Sequence, residues 1–98
     1  MTYTNMQIIS NTIYQNEQLI DIPEDAIYAD LTLYIDRAET HQSYKFVTLT
    51  DNFSVSFCNG AFQGVIYKTD DNKIKIEGNC MCNIIFFKSN SWYNIINN

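Results

Sequence analysis

The feature that most constrains this chain is the period-two spacing of β-branched and aromatic side chains along most of its length. Leu31, Leu33 and Ile35 alternate with Thr32, Tyr34 and Asp36. Phe53, Val55 and Phe57 alternate with Ser54, Ser56 and Cys58, and Ile74 and Ile76 with Lys73, Lys75 and Glu77. Successive side chains of a strand point to opposite faces, so each run reads as a half-buried strand. No stretch keeps a 3.6-residue apolar stripe over three turns, which argues against a long helix. With only three Gly and one Pro in 98 residues, no linker divides the chain. One β-rich domain, residues 1–98, is expected.

Shorter signals fill in the order. Residues 7–10 and 19–22 read as strands around a polar turn at 15–18. Pro23-Glu24-Asp25-Ala26 reads as a helical turn, with Pro suited to a first helical position and acids to its positive end. Residues 37–43 form a polar loop holding His41, the only histidine. Strands at 44–50 and 53–59 flank Asp51-Asn52, a pair suited to a two-residue hairpin turn. Residues 63–68 and 73–77 are strands around a turn at 69–72, and Gly78-Asn79 is a further turn. Residues 80–88 and 92–96 are last strands, or a strand and a short terminal helix. The sum is all-β: a small antiparallel β-barrel or sandwich of seven to eight short strands with at most one short helix. The alternative is α+β, with one helix within residues 23–30.

Charge narrows the partners. Eleven acids face six bases, a net charge of −5. Affinity for phosphate comes from Lys and Arg, so no nucleic acid and no anionic membrane surface is expected as partner. A basic protein partner stays open. The longest apolar run, Ile84 to Phe87, is far short of the roughly twenty residues a spanning helix needs. Residues 1–10 lack the basic and apolar regions of a signal peptide. Either the protein is cytoplasmic or a leader is absent from this numbering.

Catalytic groups are sparse. His41 sits among polar residues, and Cys58 is the only thiol whose pairing with it has appeal. Cys58, Cys80 and Cys82 lack the Cys-x2-Cys spacing of zinc sites. Free thiols are expected, the alternative being a bridge from Cys58 to Cys80 or Cys82 through strand pairing, with Cys80 and Cys82 on opposite faces of a strand. Asp70-Asp71-Asn72 lacks the ordered ligands of a calcium loop. Gly60 and Gly64 do not form a phosphate loop and mark instead a turn and a close backbone approach or a bulge. No enzyme activity, no cofactor and no metal is therefore expected.

The surplus is aromatic: seven Tyr, six Phe and one Trp exceed what a small core hides. Tyr28, Tyr34, Tyr44, Tyr67, Trp92 and Tyr93 carry polar atoms and suit half-exposed interface positions. Tyr67, Trp92, Tyr93, Tyr34 and Tyr44 are the candidate binding residues.

Phe57-Cys58-Asn59-Gly60-Ala61-Phe62-Gln63-Gly64-Val65-Ile66-Tyr67 resembles the central signature of META/HslJ-like domains, in which a Cys-Asn, an aromatic, a Gly and a Tyr close one strand and open the next. Asn72 to Gly78 resembles their following strand, Cys80-Met81-Cys82 falls where they carry a Thr-x-Met-x-Cys-like segment, and Leu31-Thr32-Leu33 resembles an early strand. The match runs over about residues 31–82, with one extra residue between Asn59 and Tyr67 and Cys80 in place of the Thr. The resemblance implies a small barrel-like β domain without established catalysis, linked to stress resistance, the cell envelope or virulence. Cys58, Asn59, Gly64 and Tyr67 would be its structural signature positions.

The expected function is that of a non-enzymatic, acidic protein-interaction domain, for instance an inhibitor of a host or partner protein. The alternative is a small-molecule or carbohydrate binder with an aromatic-lined cleft. A homodimer through an edge strand is a further expectation, because so few Lys and Pro residues guard the strands.

Overall fold

The computed structural model of the chain describes residues 6–15, 17–35, 38–59 and 62–89. Eight strands build it: β1 (Met6–Gln15), β2 (Leu19–Asp21), β3 (Ala26–Ile35), β4 (Ala38–Thr48), β5 (Ser54–Asn59), β6 (Phe62–Lys68), β7 (Lys73–Gly78) and β8 (Met81–Ser89). They form two four-stranded antiparallel sheets. Sheet A has the order β1-β8-β3-β4 and sheet B the order β2-β7-β6-β5. The architecture is the expected all-β sandwich.

The alternating apolar residues form the layer between the sheets. Sheet A contributes Ala29, Leu31 and Leu33 from β3 and Cys82, Ile84 and Phe86 from β8. Sheet B contributes Ile66 from β6 and Ile74 and Ile76 from β7, and all nine are sealed from solvent. Each large side chain buried this way contributes about 1.5–3 kcal/mol. This layer is the main source of stability.

Two pairs of strands change sheets together. β1 pairs with β8 in sheet A, and their continuations β2 and β7 pair in sheet B. Such corners need bends or bulges. Glu17 supplies one, at φ 64°, with its N–H donating to the Ile76 carbonyl at 2.7 Å. Gly78 supplies the other at φ 103°. A Cβ there would lie 2.3 Å from the Gln63 carbonyl oxygen. The next residue, Asn79, donates its N–H to that same oxygen at 2.7 Å. Gly64, paired opposite Gly78, is the close approach expected of it: a Cβ would lie 2.3 Å from Cys80 Sγ.

Four local expectations are corrected. Residues 23–26 make a single turn, closed by Ala26 N–H to the Pro23 carbonyl at 3.0 Å. β3 starts at Ala26, so the α+β alternative falls, and no helix is present among the described residues. The β-propensity of the run after Ala26 outweighs the helix-start signal before it. Residues 38–43 of the expected loop are strand, because β4 begins at Ala38 and includes His41. The β3–β4 register slips between Tyr34/Gln42 and Ile35/Ala38, so β4 carries extra residues there. That irregularity is why the segment lacks clean alternation.

Asp51-Asn52 does not close a hairpin. β4 lies in sheet A and β5 in sheet B, so the chain crosses between layers here. Asp51 N–H bonds back to the Thr48 carbonyl at 3.2 Å, and Lys68 Nζ reaches across to the Leu49 carbonyl at 2.7 Å. Lastly, Cys80 and Cys82 do not face opposite ways. Residues two apart share a face of a strand, and both thiols are free and buried in the core. The expected segment at 92–96 lies outside the described residues.

Candidate interaction surface

The outer faces of the two sheets differ in chemistry. On sheet B the outward residues of β7 are Lys73, Lys75 and Glu77, and each has a partner nearby. Lys73 pairs with Asp21 of β2, and Lys75 lies 3.9 Å from Glu17. Tyr67 of β6 donates its hydroxyl to Glu77, which pushes the phenol above its ordinary range. The Asp21 carboxylate likewise raises Lys73. Apart from the exposed Leu19 of β2, which lies beside Lys75, the charges of this face are paired among themselves.

On sheet A the registers align four outward rows across β1, β8, β3 and β4. The first is Ile8–Phe87–Tyr28–Thr48, and the second is Asn11–Ile85–Asp30–Phe46. Ile13–Asn83–Thr32–Tyr44 follows, and Gln15–Met81–Tyr34 closes the set. The first two rows hold an aromatic ladder. Tyr28 stacks on Phe46 with ring centroids 5.3 Å apart, and Phe46 meets Phe87 at 6.0 Å. Phe46, Tyr44, Ile8 and Ile13 stay exposed, at 42%, 64%, 58% and 55%. An apolar patch spread over four strands marks an interaction site more often than scattered exposed side chains do.

Among the described side chains one acid, Asp30, sits within this face. Asp30 accepts a hydrogen bond from the Tyr44 hydroxyl at 2.5 Å, and the bond raises the Tyr44 pKa. An acceptor flanked by aromatic rings is the setting a guanidinium occupies well, since Arg pairs with carboxylates and stacks on rings.

The candidate tyrosines divide between the faces. Tyr34 and Tyr44 share the outer face of sheet A, whereas Tyr67 is on sheet B and engaged with Glu77. Trp92 and Tyr93 lie outside the described residues. Phe46, Phe87, Ile85, Ile8 and Ile13 are surface residues that the aromatic surplus did not single out. The signal for them was present in Ile84-Ile85-Phe86-Phe87, a run apolar in both registers. An unbroken apolar run in a strand asks for cover on both faces.

Burial pushes the Cys82 thiol up to about 12, and Cys80 is raised by the same cause. Neither thiol is the exposed, acidified group that nucleophilic chemistry needs. The side chains of Cys58 and His41 lie outside the described residues. Among the described residues no three His, Cys, Asp or Glu side chains gather as metal ligands, and no helix is long and apolar enough to cross a membrane. An open depression of about 410 Å³ lies at the β4–β5 crossing, between Lys45 and Ser54. Phe46 and Phe53 are among its lining, and Ser54 on its rim is the cross-strand partner of Tyr67. No protein-family model, no curated protein and no solved structure matches this chain.

Proposed function

We propose that this chain is a non-catalytic protein-interaction domain whose contact surface is the outer face of sheet A. The observation that carries the proposal is the Tyr28–Phe46–Phe87 ladder lying open beside Asp30. Aromatic anchors around a desolvated charge pair are the usual energetic centre of an interface. The fitting partner is a protein presenting an apolar patch with an Arg or Lys at its centre, drawn in by the net charge of −5. Inhibition of such a partner by covering its surface is one outcome this binding supports. The META/HslJ-like resemblance of residues 57–67 points the same way, toward a domain without catalysis.

A photo-crosslinking residue at position 46, and in a control at position 75 on sheet B, tests this. A discrete crosslinked protein is expected from position 46, absent from position 75, and lost when Asp30→Arg is added. With that partner in hand, Phe46→Ser is expected to weaken binding by about tenfold or more. Equal capture from both positions, or capture from position 75 alone, defeats the proposal.

A further inference from the structure

We propose that β1 is a self-association edge, through which two copies pair antiparallel into a two-fold dimer with one continuous eight-stranded outer sheet. Among the described residues β1 is the last strand of sheet A, flanked by β8 on one side only. Its far side carries a row of backbone N–H and C=O groups that no described strand uses, a template for another strand. Gln15 is already engaged, its N–H donating to Gln18 Oε1 at 2.6 Å. Charge and proline, two of the usual guards, are absent along the rest. The ten residues of β1 include no Pro and no charged side chain, with one register irregularity at Ile8/Ser10. The other edges are better protected. β2 and β5 have three and six residues, and β4 carries Glu39, Lys45 and its register slip.

Charge selects a second copy as the occupant. Two chains of net charge −5 repel wherever their acids face each other. β1 and the adjoining β8 contain no acid, and Lys88 is their one charged residue. The β1 edge is therefore where two copies approach with least repulsion. A neutral strand is its own electrostatic complement, whereas a basic partner is drawn to the acid-bearing surfaces. Geometry agrees. Met6, Ile8 and Ile13 point outward from β1 and are 40%, 58% and 55% exposed. Two-fold pairing sets the outer faces of both copies on one side, so these chains shield their counterparts. β1-to-β1 contact is isologous and closes at two, whereas β1-to-β4 contact would repeat into filaments.

Light scattering on the full chain over a concentration series tests this. A mass twice the 11.4 kDa of one chain is expected at high concentration. Ile8→Lys/Ile13→Lys should weaken the dimer about tenfold or more while leaving the β-sheet circular dichroism unchanged. Tyr44→Ser/Phe46→Ser, which strips the partner surface instead, should leave the dimer intact, so this result stands apart from the fate of the partner proposal. Hydrogen exchange on the unaltered chain gives a mutation-free check: β1 amides should exchange faster on dilution, and β4 amides should not. A monomer at all concentrations overturns the inference. So does a dimer that survives the lysine pair, one lost with Tyr44→Ser/Phe46→Ser, or β1 exchange indifferent to dilution.

Discussion

At the residue scale, two positions carry unusual constraints. Gly78 combines φ 103° with a neighbour that would lie 2.3 Å from any Cβ. Backbone, not a mobile side chain, fills that space, so it does not yield cheaply. Gly78→Ala is expected to cost about 2–4 kcal/mol, read from urea unfolding. A loss under about 1 kcal/mol would show the corner to be more pliant than its geometry. Cys82 sets the second constraint. Its thiol is protonated in folded and unfolded chains alike below its ordinary value of 9.0, and contributes no pH dependence there. Between that value and about 12 the unfolded chain ionises and the folded chain does not, so stability falls as pH rises. The slope approaches about 1.4 kcal/mol per pH unit for this group. The raised Tyr67 and Lys73 act in the same direction at the alkaline end. Unfolding free energies from pH 8 to 11 should show the decline, and Cys82→Ala should make it shallower, whatever its effect on stability at neutral pH, with the raised Cys80, Tyr44, Tyr67 and Lys73 supplying the remainder.

At the element scale, β8 explains both the core and the surface. Phe86 is sealed in the sandwich, while Phe87 turns outward to the ladder with Phe46. Phe86→Ala is expected to cost about 3–5 kcal/mol. Phe87→Ala should cost much less in stability and instead weaken partner binding. Comparing the two variants by thermal melting and by a binding titration separates core from contact. If Phe87→Ala proves as destabilising as Phe86→Ala, the outer face is structural. Elements such as β3, β6 and β7 were legible in the sequence because alternation with one buried face is a local signal. The pairing partners were not. Asp51-Asn52 has the composition of a hairpin turn, yet the strands it joins belong to different sheets, a choice made by long-range packing. The β4 segment at residues 38–43 was hidden for a different reason: a register slip breaks the period that announces a strand. The aromatic count foretold an exposed aromatic surface, but only the strand register shows that Tyr34 and Tyr44 share it and Tyr67 does not.

At the scale of the whole molecule, the sandwich separates two kinds of surface, one with self-paired charges and one apolar with an uncharged edge. A net charge of −5 makes the two proposed contacts respond to salt in opposite directions. The partner contact joins an acidic domain to a basic surface, so screening weakens it and slows encounter. The β1 contact joins two like-charged bodies through a neutral strand, where salt only removes repulsion. Raising ionic strength from about 0.01 to 0.15 M shortens the Debye length from about 30 to 8 Å, well within the dimensions of this domain. The dimer should therefore tighten several-fold over that range while the partner complex loosens, both followed by sedimentation equilibrium in the same buffers. A dimer that loosens with salt would have to be held by opposite charges. Since β1 has none, that result would move the self-contact to another surface of the molecule.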